Sequence, residues 1–355
     1  MQMTAQNISC ESVQTKFPDL MDHIVVKTLI GTLYAIVMVL GVVGNILTAH
    51  CVLRLRVNVG INPSFALSFV GSNLMIALLS LPFTAQQTFT RVWLLGSVLC
   101  KIVPFLTMSG TFVCSFTLAA IAVDRYRNVT NMQQIVSSKE IHFDVPHALI
   151  TIGLWLLAFC LSFPHSFFLL KIVRYDGLCG DFCEECFPSH QFEIWISSTI
   201  FVIQFLLPLI ILAFCYDRLR KMFIRSAARR QQYALTTSTQ KKLMRTKRRT
   251  NLLTFLLFSA FALPWLPYII VHSLRDFELV ADSAQMTLFT VAHLIAMTSI
   301  MWNPIIYCGL NQDFRRCLLN CVNKELTEID RSSYAEGRMR VFSQVIYSDG
   351  HFEVL

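Results

Sequence analysis

Charged side chains are scarce in this sequence. Only 15% of the 355 residues are Asp, Glu, Lys or Arg, whereas 54% are hydrophobic and the mean hydropathy is +0.55. Soluble domains carry about 25% charged residues, so this composition excludes an ordinary soluble protein. The apolar residues form seven continuous runs, each long enough to cross about 30 Å of hydrocarbon as a helix. The runs cover residues 24–53, 63–88, 98–122, 147–170, 194–216, 251–274 and 284–309.

A β-barrel pattern and a cleavable signal peptide are also missing. The runs at 24–53 and 98–122 are continuously apolar rather than alternating, which favours helices over barrel strands. No basic segment followed by an Ala-x-Ala cleavage site precedes residue 24, so we expect the first helix to act as its own insertion signal. The sequence predicts an all-α membrane protein whose seven-helix transmembrane bundle covers residues 24–310.

The sequence also lacks the marks of catalysis and of transport. No nucleophile–base pair and no metal motif lies within the apolar runs, so we expect neither enzymatic activity nor a cofactor. A transporter would show inverted repeats and charged residues near the middle of the membrane, and the sequence has neither. Both classes are therefore disfavoured.

The distribution of charge predicts the orientation. If the N-terminus is outside, the outer segments carry seven of the 30 Lys and Arg residues, and twelve of the other 23 lie between Arg218 and Arg249. The positive-inside rule then predicts an extracellular N-terminus and a cytoplasmic C-terminus. We expect the protein to lie in the plasma membrane. The outer segments also carry eleven acids, which favour a cationic ligand by electrostatic steering, unless they only solvate the loops.

A proline interrupts the seventh apolar run. Pro304 removes a backbone donor and must kink the helix, while Asn303 precedes it and Tyr307 follows three residues later. After Leu310 the sequence becomes polar and basic with an apolar stripe, which suits a helix lying flat on an anionic inner leaflet. We therefore expect residues 311–321 to form a short amphipathic eighth helix.

This Asn-Pro-x-x-Tyr segment resembles the end of the bundle in rhodopsin-like (class A) G-protein-coupled receptors. Its flanks, HLIAMTS and LNQDFRR, resemble the neuropeptide Y or RFamide-type neuropeptide branch of that class. Further family signatures follow in the expected order over about residues 30–325. They are Gly44-Asn45, Leu81-Pro82-Phe83-Thr84, Trp93 with Cys100, Asp124-Arg125-Tyr126, Trp155 with Pro164, Gln204 with Pro208 and Tyr216, and Phe261 with Pro264-Trp265-Leu266-Pro267.

The resemblance implies a receptor that activates a heterotrimeric G protein, of the inhibitory class in this branch. Asp124 would hold Arg125 in the closed bundle and release it to the G protein when helix six swings outward about Pro267. An ordinary snorkelling arginine is the alternative interpretation of Arg125, and simple packing is the alternative for Trp265. The activation residues implied by the family are Asp124, Arg125, Tyr126, Tyr216, Phe261, Trp265, Pro267, Asn303, Pro304, Tyr307 and Asn73.

Two of the family's activation positions carry a different residue here. Asn73 stands where the family has the Asp that binds sodium, and its expected neighbours Cys114, Ser299 and Asn303 are uncharged. A monovalent cation would gain little there to offset its desolvation, so we expect weak or absent sodium sensitivity and raised basal activity. Pro264 replaces a Cys and frees a second carbonyl in helix six, so the kink is expected to be larger or softer.

The ligand implied by the branch is an amidated neuropeptide ending in Arg-Phe or Arg-Tyr. The branch has an Asp at the position of Asp276 that receives an arginine of the peptide, and a carboxylate at a partly desolvated mouth suits a guanidinium. The other expected ligand-binding residues are His293, Gln86, Gln87, Thr107, Gln204, Tyr268, His272 and Phe289. Thr107 departs from the branch's usual Gln.

Other ligand classes fit the sequence less well. Position 107 is not an Asp, which disfavours a biogenic amine, because an amine needs a counter-ion there. No Lys lies within 284–309, which excludes a retinal Schiff base in helix seven. A different peptide, a small molecule or a lipid on the same scaffold remains the alternative.

The second outer loop is rich in cysteine. It contains Cys179, Cys183, Cys186 and His190. This spacing could hold zinc, but an oxidising exterior favours disulfides, and we expect no metal. The resemblance implies that Cys183 bonds Cys100. Of the three cysteines that remain, we expect Cys179 to pair with Cys186 and Cys10 to be left over.

The segments outside the bundle carry several modification sites. The leader, residues 1–23, contains the sequon Asn7-Ile8-Ser9, an expected glycosylation site. Cys317 and Cys321 are expected to be palmitoylated at the inner membrane surface. The tail, residues 322–355, is expected to be disordered and cytoplasmic and to meet a kinase and arrestin. The basic inner loop suits anionic membrane lipid or the G protein, and no nucleic acid partner is expected.

Overall fold

The computed structural model describes residues 10–53, 61–134, 147–233, 238–277, 279, 282–310 and 314–320. Seven helices within these residues are long and apolar enough to cross a membrane, and we call them helices one to seven. They are Ile24–Leu53, Pro63–Thr90, Gly96–Arg127, His147–Leu169, His190–Met222, Leu252–Arg275 and Met286–Leu310. The predicted seven-helix bundle is confirmed, and each helix overlaps its predicted run.

Several helices continue beyond these spans. Helix three runs over Gly96–Gln134 and helix six over Ser238–Asp276, while helix five ends with Leu207–Tyr233. Helix seven consists of Asp282–Met297 and Ser299–Leu310. The turn that separates these two segments, at Thr298, lies six residues before Pro304, whose missing donor and ring disturb the preceding turns.

Wide π-helical turns interrupt three helices beside a proline. They are Ile76–Ser80 in helix two, His165–Leu169 in helix four and Val202–Leu206 in helix five. Pro82 and Pro208 follow the first and third of these turns by two residues, and Pro164 directly precedes the second. A π turn relieves the missing donor and the steric clash of a proline inside a helix. In helix five it contains Gln204, whose side chain is buried in the bundle.

Small residues bring helix one against helix seven. A Cβ atom on Gly41 would lie 2.6 Å from Ile300 Cδ1, and one on Gly44 would lie 2.7 Å from Pro304 Cγ, so a larger residue at either position would force helix seven atoms to move. Asn45 beside them donates from Nδ2 to the carbonyl of Ile300 at 2.9 Å. Close helix contact and a buried amide with a partner are typical of helix packing in membranes.

A β-hairpin lies over one end of the bundle, which we call the leader end. Its strands, β1 (Leu170–Val173) and β2 (Phe182–Glu185), pair antiparallel, with Leu170 opposite Glu185. The expected disulfide between Cys100 and Cys183 is present and attaches β2 to the start of helix three. The hairpin is therefore held at a fixed height above the bundle.

The leader is part of this end of the fold. Residues 11 and 179 pair through the Glu11 and Cys179 backbones at 3.0 Å, and Cys10 forms a disulfide with Cys179. Further along, Asp22 forms an ion pair of 3.1 Å with Arg91, and Asp19 accepts a hydrogen bond from Thr287 of helix seven. The leader thus connects the hairpin, the loop after helix two and the top of helix seven.

The predicted pairing of Cys179 with Cys186 is wrong. Cys179 lies before β2 and Cys186 lies after it, and Cys186 is a free thiol. A strand of four residues at about 3.3 Å per residue holds the two cysteines farther apart than the roughly 7 Å limit for the Cα atoms of a disulfide. Cys10 instead approaches Cys179, because the leader folds back onto the hairpin.

This correction can be tested by single substitutions. C10S and C179S should each lower the apparent melting temperature of the purified protein by about 5 °C or more, because each opens the same long loop. The double variant should be no less stable than either single variant. C186S is the matched control and should melt like the wild type. Destabilisation by C186S with no effect of C10S would restore the pairing of Cys179 with Cys186.

A short helix at residues 314–320 confirms the eighth helix and packs differently from the expected lipid-facing stripe. Phe314 is buried, and its ring centroid lies 5.8 Å from that of Tyr307. Cys317 is also buried and forms a disulfide with Cys51 of helix one. Palmitoylation of Cys317 stays a prediction, and it would need this sulfur to be reduced and to leave its buried position against helix one. The other expected modification sites, Asn7 and Cys321, and the tail at 322–355 lie outside the described residues.

The lipid-facing surface agrees with the membrane assignment. Leu156 and Ile152 of helix four and Ile210 of helix five expose more than half of their area on the outside of the bundle. Leu118, Leu257 and related side chains fill its centre instead. A transmembrane helix is expected to have apolar residues both on the face that meets lipid and on the face that packs in the bundle, because lipid replaces water around it.

Candidate ligand-binding and coupling site

A cavity of about 890 Å³ opens at the leader end of the bundle, between helices two, three, five, six and seven and beneath the hairpin. Most of the residues expected to bind ligand line it: Gln87, Thr107, Gln204, Tyr268, His272, Phe289 and His293. A cavity of this size, with an apolar wall and a few polar groups, is typical of a site for a small molecule or the end of a peptide.

Gln86 does not belong to this group. Its Nε2 donates to Thr90 Oγ1 at 2.8 Å and to the carbonyl of Val92 at 3.2 Å, in the turn after helix two. The expectation that Gln86 contacts ligand is therefore not supported by its position. Gln87, one residue later on a different face of the helix, lines the cavity.

Tyr268 is the centre of the aromatic wall of the cavity. Its ring centroid lies 5.4 Å from that of Phe289, 5.6 Å from that of His272 and 5.9 Å from that of His293. These separations suit tilted and edge-to-face contacts, which stabilise aromatic pairs beyond their buried area. The wall joins helices six and seven and offers a surface on which an aromatic side chain can pack.

His293 has a partner that the sequence did not indicate. Its Nδ1 lies 2.9 Å from the hydroxyl oxygen of Tyr34 in helix one, and both side chains are buried. The hydroxyl oxygen of Tyr34 also lies 3.5 Å from the carbonyl of Thr290. Tyr34 therefore fixes the imidazole of His293 at the cavity wall. The only hint in the sequence is a tyrosine in the first apolar run.

Trp265 forms the floor of the cavity. Its ring centroid lies 5.7 Å from that of Tyr268 above and 6.0 Å from that of Phe261 one turn below. Phe205 of helix five stacks on Phe261 at 5.8 Å, and Trp265 Nε1 donates to Ser299 Oγ of helix seven at 3.2 Å. Trp265 therefore contacts side chains of helices five and seven from helix six, two residues before Pro267.

The rim of the cavity carries charged side chains whose positions the sequence did not predict. Glu185 at the end of β2 and Glu193 of helix five both line the cavity, together with Arg275 at the end of helix six and His165 of helix four. Both acids were predicted only as members of an acidic outer surface. The signal that could have found Glu185 is its position two residues after Cys183, which is attached to helix three.

Local charge keeps Glu185 ionised. Burial opposes ionisation, but a hydrogen bond from His165 and the nearby positive charge of Arg275 prevail and lower the pKa of Glu185 below its usual range. The rim therefore offers a carboxylate at neutral pH. Asp276, the carboxylate expected from the resemblance, is the last residue of helix six, and its side chain lies outside the described residues.

The opposite end of the bundle carries the Asp-Arg-Tyr residues. His147 Nε2 lies 2.9 Å from Asp124 Oδ1, so Asp124 has a partner on helix four besides its neighbour Arg125. Arg125 lines a narrow gap of about 20 Å³ between helices three, five and six, whose wall includes Tyr216. Tyr126 packs edge-on against Phe214 of helix five. Arg125 and Tyr216 therefore meet at one gap between helices three, five and six.

The middle of the bundle contains amides rather than carboxylates. Asn73 Nδ2 donates to Asn45 Oδ1 at 3.3 Å, and the thiol of Cys114 donates to Asn73 Oδ1 at 3.4 Å. Asn303 is buried on helix seven, and Ser299 of the same helix accepts a hydrogen bond from Trp265. A sodium ion among these residues would have only uncharged ligands and no carboxylate. They therefore do not fit the sodium ion expected from the family resemblance.

Sodium should therefore have no effect on agonist binding. Agonist affinity measured in sodium chloride should equal the affinity in an organic-cation chloride of the same ionic strength, because no carboxylate balances the ion. N73D supplies that carboxylate and should restore a several-fold loss of agonist affinity in sodium. A several-fold sodium effect on the wild type would contradict this account.

Comparison with known proteins agrees with this geometry. The family model described as "7 transmembrane receptor (rhodopsin family)" matches residues 44–307, so the chain belongs to the rhodopsin family of seven-transmembrane receptors and is a multi-pass membrane protein. The resemblance drawn from the motifs is thereby confirmed. Proteins of this family are receptors rather than enzymes.

Its relatives include receptors named for neuropeptides. The chain is 30% identical to Neuropeptide receptor 3 of Caenorhabditis elegans over 315 residues, which cover 86% of this chain and 82% of that protein. It is 28% identical to the human Neuropeptide Y receptor type 2 over 337 residues, or 89% and 82% of the two chains. It is 29% identical to the Neuropeptide Y receptor type 1 of Xenopus laevis over 295 residues, or 80% and 78%.

Proposed function

We propose that this protein is a plasma-membrane receptor for an amidated neuropeptide that ends in Arg-Phe or Arg-Tyr. The observation that carries the proposal is one cavity with an aromatic wall at Tyr268 and Phe289 and a rim that holds Glu185 and Glu193. An aromatic terminal residue suits the wall, and an arginine beside it suits carboxylates at a partly desolvated rim. The names of the relatives support a peptide ligand.

The polar groups within the cavity suit a terminal amide. Gln204 is buried in the π turn of helix five, and Gln87 and Thr107 line the facing side. The hydroxyl of Thr107 donates to the carbonyl of Val103 at 2.8 Å, so its oxygen is left to accept from the amide NH₂. A glutamine offers both a donor and an acceptor, which matches an amide better than a carboxylate.

The leader end faces the outside of the cell in this proposal. The acids of the outer segments and the concentration of Lys and Arg between residues 218 and 249 support that orientation through the positive-inside rule. Peptide bound above Trp265 would favour a bundle in which helix six moves outward about Pro267. The gap beside Arg125 would then widen and receive a heterotrimeric G protein, of the inhibitory class in the neuropeptide Y branch.

A panel of amidated peptides tests this proposal. Cells expressing the receptor should respond, by a fall in cyclic AMP or a rise in calcium, to peptides ending in Arg-Phe-amide or Arg-Tyr-amide. The same peptides as free acids are the matched control and should be much weaker, since a carboxylate loses the amide's donors and meets an acidic rim. Silence across the panel, with surface expression confirmed, would sink the proposal.

A further inference from the structure

One guanidinium is shared between two of the carboxylates that line the cavity rim, Glu185 and Glu193. Arg275 Nη2 lies 3.9 Å from Glu185 Oε2 and 3.9 Å from Glu193 Oε1. Both separations exceed the roughly 2.7–2.9 Å of a charge-assisted hydrogen bond. Arg275 therefore balances part of the charge of both acids at long range.

The remaining oxygens of the two acids face other partners. His165 Nε2 lies 3.2 Å from Glu185 Oε1, and His190 Nδ1 lies 3.5 Å from Glu193 Oε2. The histidines thus hold one oxygen of each carboxylate, and the other oxygen of each points to the same guanidinium. Two carboxylates arranged in this way form a subsite that a planar cation with five donors can fill.

Arg275 is also the connection between helix six and the rest of the rim. It is the penultimate residue of helix six, whereas Glu185 ends β2 and Glu193 lies in the first turn of helix five. Its Nη2 donates to His272 Nδ1, one turn earlier on the same helix, at 3.3 Å. The guanidinium therefore lies over the end of helix six. Its charge attracts Glu185 of the hairpin and Glu193 of helix five.

We propose that Arg275 is a resident stand-in for the ligand's guanidinium, which displaces it from Glu185 and Glu193 on binding. This inference rests on the proposed function, because it assumes a ligand that carries an arginine. On displacement, the two long contacts of Arg275 with the acids are replaced by close, charge-assisted hydrogen bonds from the ligand's guanidinium. This gain explains why the two acids would bind the ligand's guanidinium in preference to Arg275. It also removes the connection at the outer end of helix six, the helix that must move for activation.

A purely structural ion pair would have a different geometry. Structural arginine–carboxylate pairs make close hydrogen bonds, frequently two in parallel, and Arg91 has one such close contact with Asp22. At the cavity rim all three side chains remain between 24% and 31% exposed and all three line the cavity. By contrast, Arg174 on the hairpin binds both oxygens of Asp181 and lies outside the cavity.

The first test removes the stand-in. R275Q should raise the potency of an active Arg-Phe-amide or Arg-Tyr-amide peptide about two- to fivefold, the scale of one partly exposed ion pair, and should raise basal signalling. A peptide with citrulline in place of arginine should gain nothing in potency. R174Q, which removes a leader-end charge away from the cavity, is the matched control and should behave like the wild type. Equal gains for the arginine and citrulline peptides would overturn the proposal.

The second test needs no peptide agonist. N-acetyl-arginine amide and its citrulline analogue would be added to purified receptor in lipid nanodiscs, and thermal stability would be measured. The arginine compound should stabilise R275Q more than wild type, and E185Q/E193Q in the R275Q background should abolish the difference between the two compounds. Equal arginine-specific stabilisation of wild type and R275Q, or none in either, would overturn the inference. This result is independent of the peptide panel, so failure of the inference and failure of the proposed function are distinguishable.

Discussion

R125A should abolish agonist-stimulated nucleotide exchange on the G protein and leave peptide binding intact. Arg125 lies at the end of the bundle opposite the ligand cavity, in the narrow gap between helices three, five and six. A half-buried guanidinium at this position has a large desolvation free energy unless it has a charged or polar partner. If the gap widens, Arg125 becomes accessible to the G protein. Losing several charge-assisted contacts at once should cost at least about 100-fold in coupling.

The measurement is receptor-stimulated GTPγS binding in membranes, run beside competition binding of a labelled peptide. R125K keeps the charge but not the planar fork, and it should retain part of the exchange activity. D124N separates the neighbour from the arginine itself, and it should raise basal exchange, because it weakens the contacts of Asp124 with Arg125 and with His147. Undiminished exchange in R125A would remove Arg125 from the coupling surface.

D276A should raise the agonist concentration needed for half-maximal response by about 10–100-fold, the scale of a lost charge-assisted pair. The expectation rests on the resemblance and on the position of Asp276 at the end of helix six, next to Arg275 of the cavity rim. The loss should be largest for peptides that carry arginine and small for their citrulline analogues, because only the charged partner is affected.

D181A is the control for D276A. Asp181 is another leader-end acid, but Arg174 occupies it on the hairpin, so its removal changes bulk charge without touching the cavity. D276N keeps the shape of the side chain and removes its charge, which separates a lost ion pair from lost packing. An unchanged response of D276A would exclude Asp276 from the ligand site and would leave Glu185 and Glu193 as the carboxylates that meet the ligand.

The bundle was predictable because membrane helices depend on local composition. Continuous apolar runs of about 20 residues have no other stable fold in lipid, so their number and limits follow from the sequence. Gly41 and Gly44 were also predictable as contact points, since small residues permit close helix packing. The π turns were not, because a proline predicts a disturbance of the helix and not the way in which the backbone relieves it.

The residues of the cavity floor and wall could be predicted from the family motifs, whereas the residues of its rim could not. Trp265, Tyr268 and Phe289 lie on helices, where spacing in sequence fixes position in space. Glu185 and Cys179 lie in a loop whose course depends on contacts with the leader and with helix three, both distant in sequence. A two-stranded register and a pairing across 169 residues cannot be read from local pattern.

The same reason explains the buried face of the eighth helix. An apolar stripe beside basic residues predicts a helix at the membrane surface, but it does not distinguish a face that meets lipid from one that meets the bundle. Phe314 packs on Tyr307, and Cys317 lies against Cys51 of helix one, so this face meets the bundle. Tyr34 was missed for a related reason, since its partner His293 is on another helix.

Direct competition binding tests the central claim, that the cavity recognises a guanidinium and a terminal amide together. Receptor in lipid nanodiscs would be saturated with a labelled Arg-Phe-amide peptide and challenged with three competitors: the parent peptide, its citrulline analogue and its free acid. The citrulline analogue should need at least about a 30-fold higher concentration than the parent peptide to displace the label, because it loses the contacts to the rim carboxylates. The free acid should also compete less well, because it loses the contacts of the terminal amide. A citrulline analogue that competes as well as the parent would contradict the account, because the carboxylates of the rim would then have no part in recognition.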